Sequence, residues 1–453
     1  MTRIEHDSLG DIKVASHALW GAQTQRALEN FHVHGPLPNA FIRAVALIKV
    51  VAAETNRELG ELPNDKAAAI IKAAQEVVAG EHVEQFPVDI YQTGSGTSTN
   101  MNVNEVIAHL CARDGVTVHP NDDINHGQSS NDTIPTAIHL SARLAVAPLQ
   151  QAMQRLDECL AERAEELARV VKPGRTHLMD AMPITFGQVL TGWRAQLAVI
   201  SQQLQQAADG LLQLPQGGTA VGTGVNCPAG FRERFCERLQ THTGLEFTPL
   251  SSAFSGQGAI DRPQALSSAL RAYALLLVKV ANDLRWMNSG PLHGLADITL
   301  PALQPGSSIM PGKVNPVACE SVVMAAVQVQ GLDHAIAIST QLGNFELNVM
   351  LPLVANNLLE MLSLLTHATD LLNDKAIALF QPNLKALARN LARNPILVTA
   401  LNSIIGYEKA AHIAHLAYDT DRAIIDVAEE ETNLSRAELE VLLDPLKLTG
   451  ADD

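Results

Sequence analysis

"LQQAMQRLDECLAERAEEL", Leu149 to Leu167, places apolar side chains at Leu149, Met153, Leu156, Leu160, Ala164 and Leu167. Steps of three and four residues put them on one stripe of an α-helix, whereas a strand needs a period of two. The stripe is of heptad type, so this helix is built to lie along other helices. The same spacing returns at Leu266, Leu270, Ala274, Leu277, Ala281 and Leu284. Further helices are predicted from Ile184 to Leu212, Val317 to Leu342 and Phe345 to Leu372. Several are apolar almost all round, which means burial on more than one side. Long helices in series, joined by short breaks, read as a bundle. Their excess apolar surface points to association with other subunits.

The flanks differ from this middle. Residues 1 to 130 mix short helices with turn-rich segments, and residues 131 to 381 hold the long helices. Residues 382 to 453 return to short patterns, ending in a helix whose start is marked by Ser435 and Glu438 as a capping box. That predicts three domains in a mainly α protein. Glu429 to Glu431 read as a solvated face.

Hydrophobic residues make up 47% of the chain and charged residues 18%, so a large core is expected and disorder is not. Aromatics are only 4%, and the apolar mass is aliphatic, which suits close helix packing. A net charge of -16 argues against a nucleic-acid surface but leaves room for small anions bound by local donors. Cys111, Cys159, Cys227, Cys236 and Cys319 show no CxxC spacing and are odd in number. They predict a reduced, cytoplasmic setting with neither disulfides nor a zinc site. The start, "MTRIEHDSLGDIK", lacks the apolar run of a signal peptide. "AYALLLVKVA" from Ala272 reads as too short for a membrane span.

Four loops lead into these helices: "QTGSGTSTNMN" from Gln92, "GQSSNDTIP" from Gly127, "GRTHLMDAMP" from Gly174 and "GSSIMPGKVNP" from Gly306. In the last, Asn315 and Pro316 read as N-cap and first helical residue. Helix starts offer free N–H groups and a positive dipole end, which suit anions. Ser95, Thr97, Ser129, Ser130, Asn131, Thr176, Ser307, Ser308 and Asn315 supply neutral donors, Lys313 a fixed charge, and His177 a group that moves protons near neutral pH. Any one such loop is more simply an ordinary helix start, and a lone His beside Thr176 is more simply structural. Four together, one with Lys and one with His, form an inventory for proton chemistry on a small carboxylic acid.

Other patterns fall away. Gly306 to Lys313 is no P-loop, because five residues separate its glycines and Val314 follows the lysine. "QGGTAVGTGVN" from Gln216 follows a helical pattern, so it reads as a tight connection and not a dinucleotide fingerprint. His32 and His34 have ligand-like spacing without a supporting cluster, and read as surface histidines.

At these loops the chain resembles the class II fumarases (fumarate hydratases) of the fumarase/aspartase superfamily. "GSSIMPGKVNP", "TGSGTSTNMNVNEV", "HPNDDINHGQSSND" and "GRTHLMDAMPITFGQ" carry the resemblance, with "WGAQTQRALENF", "GGTAVGTGVN" and "LVTALNSIIGYEKAA". It runs from about Arg3 to about Leu448. It implies a fumarase/aspartase-like fold whose central bundle assembles into a homotetrameric core, with active sites shared between subunits. It also implies reversible hydration of fumarate to L-malate in the tricarboxylic acid cycle, through an aci-carboxylate carbanion and without metal or organic cofactor. His177 stands where aspartases usually carry Gln, and Gly312 where they tend to carry Ala. An aspartase-like or other succinyl-compound lyase is the alternative, and a catalytically dead scaffold a third.

Carried over residue by residue, the resemblance makes Ser307 and His177 catalytic, with Glu320 paired to the histidine. Ser95, Gly96, Thr97, Ser129, Ser130, Asn131, Thr176, Ser308, Lys313, Val314 and Asn315 become substrate contacts. His119, Pro120, Asn121 and Asp122 match a secondary carboxylate site. Val116, Thr117 and Val118 stand where many relatives carry basic residues, and His126 and Gly127 also depart from the pattern, so that second site is expected to be weak.

Overall fold

The computed structural model describes residues 1–450. The chain is mainly α, and among the described residues every sheet has two strands. An N-terminal hairpin, β1 (Thr2–Asp7) and β2 (Gly10–Ala15), precedes α1 (Ala22–Asn30), α2 (Asn39–Glu58), α3 (Asn64–Ala79) and α4 (Thr97–Arg113). Then comes α5 (Ser130–Glu166), and a second hairpin of β3 (Val171–Thr176) and β4 (Met179–Thr185) leads to α6 (Phe186–Gly210). The shorter α7 (Phe231–Thr243) and α8 (Ala253–Gly258) are followed by α9 (Asp261–Met287), α10 (Val317–Thr340) and α11 (Leu351–Leu372). Short helices close the chain: α12 (Leu384–Ala392), α13 (Asn402–Ile405), α14 (Tyr407–Asp419), α15 (Ile424–Glu431) and α16 (Arg436–Leu442).

The long helices form where the apolar spacing places them. On α5, Leu149, Met153, Leu156 and Leu160 are buried, as is Leu167 just past its end, while Ala164 is half-buried. All six seam residues of α9, from Leu266 to Leu284, are buried. Residues Phe345 to Met350 depart from expectation. They lie in a turn and a short hairpin, with Phe345 at φ 54°, and α11 starts only at Leu351. Pro352 explains that start, since proline fits the first helical turn and not its interior.

The chain divides into two compact units. The first comprises Met1–Gln150, Gln202–Ala274 and Val327–Leu365. Inside it the buried Asp333 of α10 accepts from Ser267 Oγ of α9 at 2.6 Å and pairs with Arg271 at 3.1 Å. A buried carboxylate needs such partners, because its desolvation is otherwise uncompensated. The second comprises Gln151–Ser201, Leu275–Ala326 and the chain from Thr366. There Arg194 of α6 grips Asp157 of α5 through two bonds of 2.9 Å, and Arg155 reaches Asp370 of α11 at 2.7 Å. Its last helices enclose a core of Leu401, Ile413, Val427 and Leu439, and the Ser435–Glu438 capping box is formed.

Two helices carry long apolar stretches, and one of them, α10, keeps to its expected span within two residues. The stretch at Ala272 belongs to the 27-residue α9, so by length and composition α9 could cross a bilayer, as could α10. The short reading stopped at Arg271 and Lys279, but both charges find partners, in Asp333 and Asp283. Over half of the apolar stretch of α9 is buried within the protein. On α10 only a third is, leaving Met324 67% and Val327 58% exposed. An apolar helix face of this kind calls for a covering surface.

Truncating the α9 seam tests the core directly. Leu270→Ala is expected to lower stability by about 2–5 kcal/mol, seen as a lower denaturant midpoint at unchanged slope.

Candidate active site

In the first unit, two of the four loops meet. Gly96, at φ 72°, begins α4, and a Cβ there would lie 2.9 Å from Ile134, so both backbone and space demand glycine. The turn brings Ser95 Oγ within 2.8 Å of Thr97 Oγ1, which shares a 2.7 Å hydrogen bond with Ser130 Oγ. Ser129 Oγ accepts from the Asn131 N–H at 3.2 Å. Asn131 Nδ2 donates to the Ala220 carbonyl at 2.8 Å. The result is a cluster of hydroxyls and amides of the kind that binds carboxylate oxygens.

Asp132 anchors that cluster, and the sequence reading passed over it. Its fully buried carboxylate accepts from the N–H groups of Ser129, Gly217 and Thr219, each at 2.9 Å. Burial pushes its carboxyl above the usual range, although those three donors pull the other way. The glycine-rich stretch from Gln216, read as a plain connection, is therefore the wall that holds the "SSN" loop. Gly217 at φ 86° and Thr219 at φ 54° turn their N–H groups toward the carboxylate, while the Gly218 N–H between them donates to the Pro215 carbonyl.

His119 to Asp122 sit on the same unit. His119 Nδ1 accepts from the Asn121 and Asp122 N–H groups at 3.3 and 3.2 Å, which leaves Nε2 for another partner. Asp123 Oδ2 accepts from the His119 N–H at 2.7 Å and pairs with Lys66. His119, Pro120 and Asn121 line a cavity of about 500 Å³ together with Glu5, Asp7, Glu105 and His109. Acidic groups thus share the space where a second carboxylate is expected.

In the second unit, "GRTHLMDAMP" differs from the expected helix-start loop. It forms the β3–β4 hairpin, whose tip is His177 and Leu178, both left-handed at φ 55° and 63°, closed by Thr176 opposite Met179. Two positive-φ residues are what a two-residue hairpin turn consistent with strand twist requires, and Asn or Gly is the usual choice. A His and a Leu there carry backbone strain, which concentrates at functional positions. Below the tip, Arg175 grips the fully buried Asp297 through bonds of 2.6 and 3.1 Å, and Lys172 lies 3.5 Å from the same carboxylate. Burial holds the Lys172 ammonium below its ordinary range, with Asp297 opposing. The base of the hairpin is rigid while His177 is exposed.

The Gly306–Pro316 loop closes on itself. Gly306 N–H donates to the Lys313 carbonyl at 2.9 Å, and Asn315 Nδ2 donates to the Gly306 carbonyl at 2.8 Å. Asn315 is thus a clasp of the loop and not the side-chain N-cap expected, and α10 starts beyond Pro316. Within the clasp, Ser307 Oγ accepts from the Ile309 and Met310 N–H groups at 3.2 and 3.1 Å. Gly312 supplies the one left-handed turn, at φ 82°. Lys313 and Ile309 point to solvent. Among the described residues Lys313, Glu320 and His177 make no side-chain hydrogen bond or ion pair within the single chain.

One trio of potential metal ligands lies elsewhere, with Glu76, Glu81 and His82 offering atoms within 4.8 Å of one another. Arg113 already binds Glu76 at 2.7 Å, so a cation occupies that carboxylate. His32 and His34 are exposed and join no such group among the described residues.

Comparison with known proteins agrees along the whole chain. Residues 10–331 match the Lyase family and residues 397–450 the fumarase C C-terminus. The class II fumarate hydratase 2 of Pseudomonas aeruginosa is 54% identical over 452 residues, covering 99% of each chain. The class II fumarate hydratase of Mycobacterium tuberculosis is 49% identical, covering 99% of this chain and 96% of its own. The crystal structure of the class II fumarase from Schistosoma mansoni superposes with a TM-score of 0.96 at 37% identity, over all of both chains. A fumarate lyase:delta crystallin from Brucella melitensis, bound to cobalt, gives 0.95 at 38% identity, covering 99% of this chain and 100% of its own.

The hairpin anchor makes its own prediction. Asp297→Ala leaves Arg175 and Lys172 buried without their carboxylate, so stability is expected to fall by about 3–5 kcal/mol. Thermal unfolding of this variant beside the exposed control Asp419→Ala measures it.

Proposed function

The chain belongs to the class II fumarases, and from that premise we propose that it adds water reversibly across fumarate to give L-malate, in the tricarboxylic acid cycle. The observation that carries this reading is the state of Ser307. Its oxygen accepts two backbone N–H groups inside a loop that also presents Lys313. Hydrogen bonds to the oxygen favour the alkoxide over the hydroxyl, which turns a poor base into a usable one.

In the malate-to-fumarate direction Ser307 takes the proton from the carbon beside a carboxylate. The electron pair left behind spreads into that carboxylate as an aci-carboxylate. Lys313 and the loop amides oppose the added negative charge, the kind of fixed donors that supply several kcal/mol. The pair then re-forms as the double bond while the hydroxyl leaves, protonated to water by His177, which Glu320 holds. Ser95, Gly96, Thr97, Ser129, Ser130, Asn131, Thr176, Ser308, Val314 and Asn315 hold the substrate carboxylates. The His119–Asp122 segment serves as a weak secondary carboxylate site, weak because Glu5, Asp7 and Glu105 border its cavity.

We also propose a homotetramer with shared sites, in which residues 131–381 form the common bundle between domains 1–130 and 382–453. The exposed apolar face of α10 supports it, as do the partnerless side chains of His177 and Glu320, whose pairing then comes across a subunit boundary. A cytoplasmic setting is supported by five cysteines that are all free.

Purified protein is expected to consume fumarate, followed by its ultraviolet absorbance, and to leave aspartate untouched. Ammonia release from aspartate would select the alternative lyase. Ser307→Ala and His177→Asn are expected to lower kcat by about 100-fold or more with little change in KM, whereas Lys313→Ala changes both. Val327→Glu on α10 is expected to convert the tetramer to smaller species in light scattering and to abolish turnover with them.

A further inference from the structure

Lys49 lies in the middle of α2 and is fully buried. A buried ammonium normally faces a carboxylate. This one faces three neutral amide oxygens instead: Asn100 Oδ1 at 2.8 Å, Gln128 Oε1 at 2.9 Å and Asn125 Oδ1 at 3.1 Å. All three of its donors are used. Burial pushes the ammonium down to about 7, with Asp132 acting against it at longer range. A methionine would fill a slot of this length without burying a charge, but it would take this donor from all three amide oxygens.

The three acceptors belong to two different pieces of the binding surface. Asn100 stands one helical turn into α4, directly after the loop carrying Ser95, Gly96 and Thr97. Asn125 and Gln128 form the turn that delivers Ser129, Ser130 and Asn131. Asn125 Oδ1 also accepts from Asn100 Nδ2 at 3.1 Å and Asn104 Nδ2 at 3.2 Å, and its own Nδ2 donates to the Gln128 carbonyl at 3.1 Å. Gln128 Nε2 donates onward to the Ile124 carbonyl at 3.0 Å. The network thus ends two or three residues from the partners of the 2.7 Å Thr97–Ser130 bond.

We propose that Lys49 is a positioning residue, its ammonium tying the Ser95–Thr97 loop and the Ser129–Asn131 loop into one preformed carboxylate-binding surface. It touches no substrate. This rests on the fumarase reading for the identity of the dicarboxylate, but the tie itself is a property of the fold. A positioned set of ground-state donors acts on binding more than on the chemical step, so its loss appears in KM.

Lys49→Met is the test, with Gln128→Met as a milder second variant that removes one acceptor. Both are measured for turnover and, by calorimetry, for binding of succinate, a dicarboxylate that does not react. Ile70→Ala, in the core of α3, serves as a control for general loss of stability. Lys49→Met is expected to raise KM and weaken succinate about tenfold with kcat changed less than about threefold, and Gln128→Met to raise KM about threefold. The control is expected to lower the melting temperature while KM holds. An unchanged KM and succinate affinity in Lys49→Met overturns the proposal, as does an equal KM rise in the control. If Lys49→Met fails to fold, unchanged binding in Gln128→Met overturns it. Parent protein that binds succinate but does not hydrate fumarate refutes the reaction and leaves the tie to be judged by the calorimetry.

Discussion

A seam of leucines running through a 37-residue helix leaves that helix freedom only at its ends. Once Leu149, Met153, Leu156 and Leu160 are buried, the rotation and the axial position of α5 are set, because sliding by one residue would carry the stripe out of the core. The same holds for α9. Ser130 and Asn131 sit on the first turn of α5, with Ser129 just before it. Polar groups at a helix start inherit the precision of a packed core without being inside it.

Buried charges continue the work that apolar packing begins. Asp132 draws the glycine-rich wall to the "SSN" loop, Asp297 clamps the base of the His177 hairpin, and Asp333 joins α9 to α10. Each sits within a helix or next to a strand, and each is saturated by donors from a different segment. Such groups are expensive to desolvate, so they hold one geometry and resist alternatives. The loops themselves carry the strain. His177 and Leu178 occupy left-handed backbone at the hairpin tip, and Ser307 takes two N–H groups from a clasp of its own making. A rigid anchor below and a strained tip above describe the His177 hairpin, while the Ser307 loop is held by its own internal bonds.

The single chain also shows what it lacks. α10 buries one side and leaves Met324 and Val327 to solvent, and among the described residues no hydrogen bond or ion pair joins the proposed partners His177 and Glu320. Both facts accord with the proposed tetramer, in which covering the apolar face would also bring in the side chains that complete the site.

Much of this was legible from residue order alone. Apolar periodicity announced α5, α6, α9, α10 and the body of α11, because the period of apolar side chains is a local property of the backbone, whereas the 20-residue α2 lies in a flank that reads as short helices. Ser435 and Glu438 announced their capping box for the same reason. Motif likeness in the four loops led to the family, since chemistry needs particular side chains in a particular order. Other features were decided only by tertiary structure. Lys172 to Thr185 alternates too weakly to declare a hairpin, and its tip depends on anchoring by Asp297, more than a hundred residues away. The turn at Phe345, Asn315 as a clasp, and the roles of Asp132 and Lys49 share that origin. A charged residue inside an apolar helix pattern reads as an exception to the pattern, and its meaning lies wholly in which distant oxygen or N–H folding brings to it.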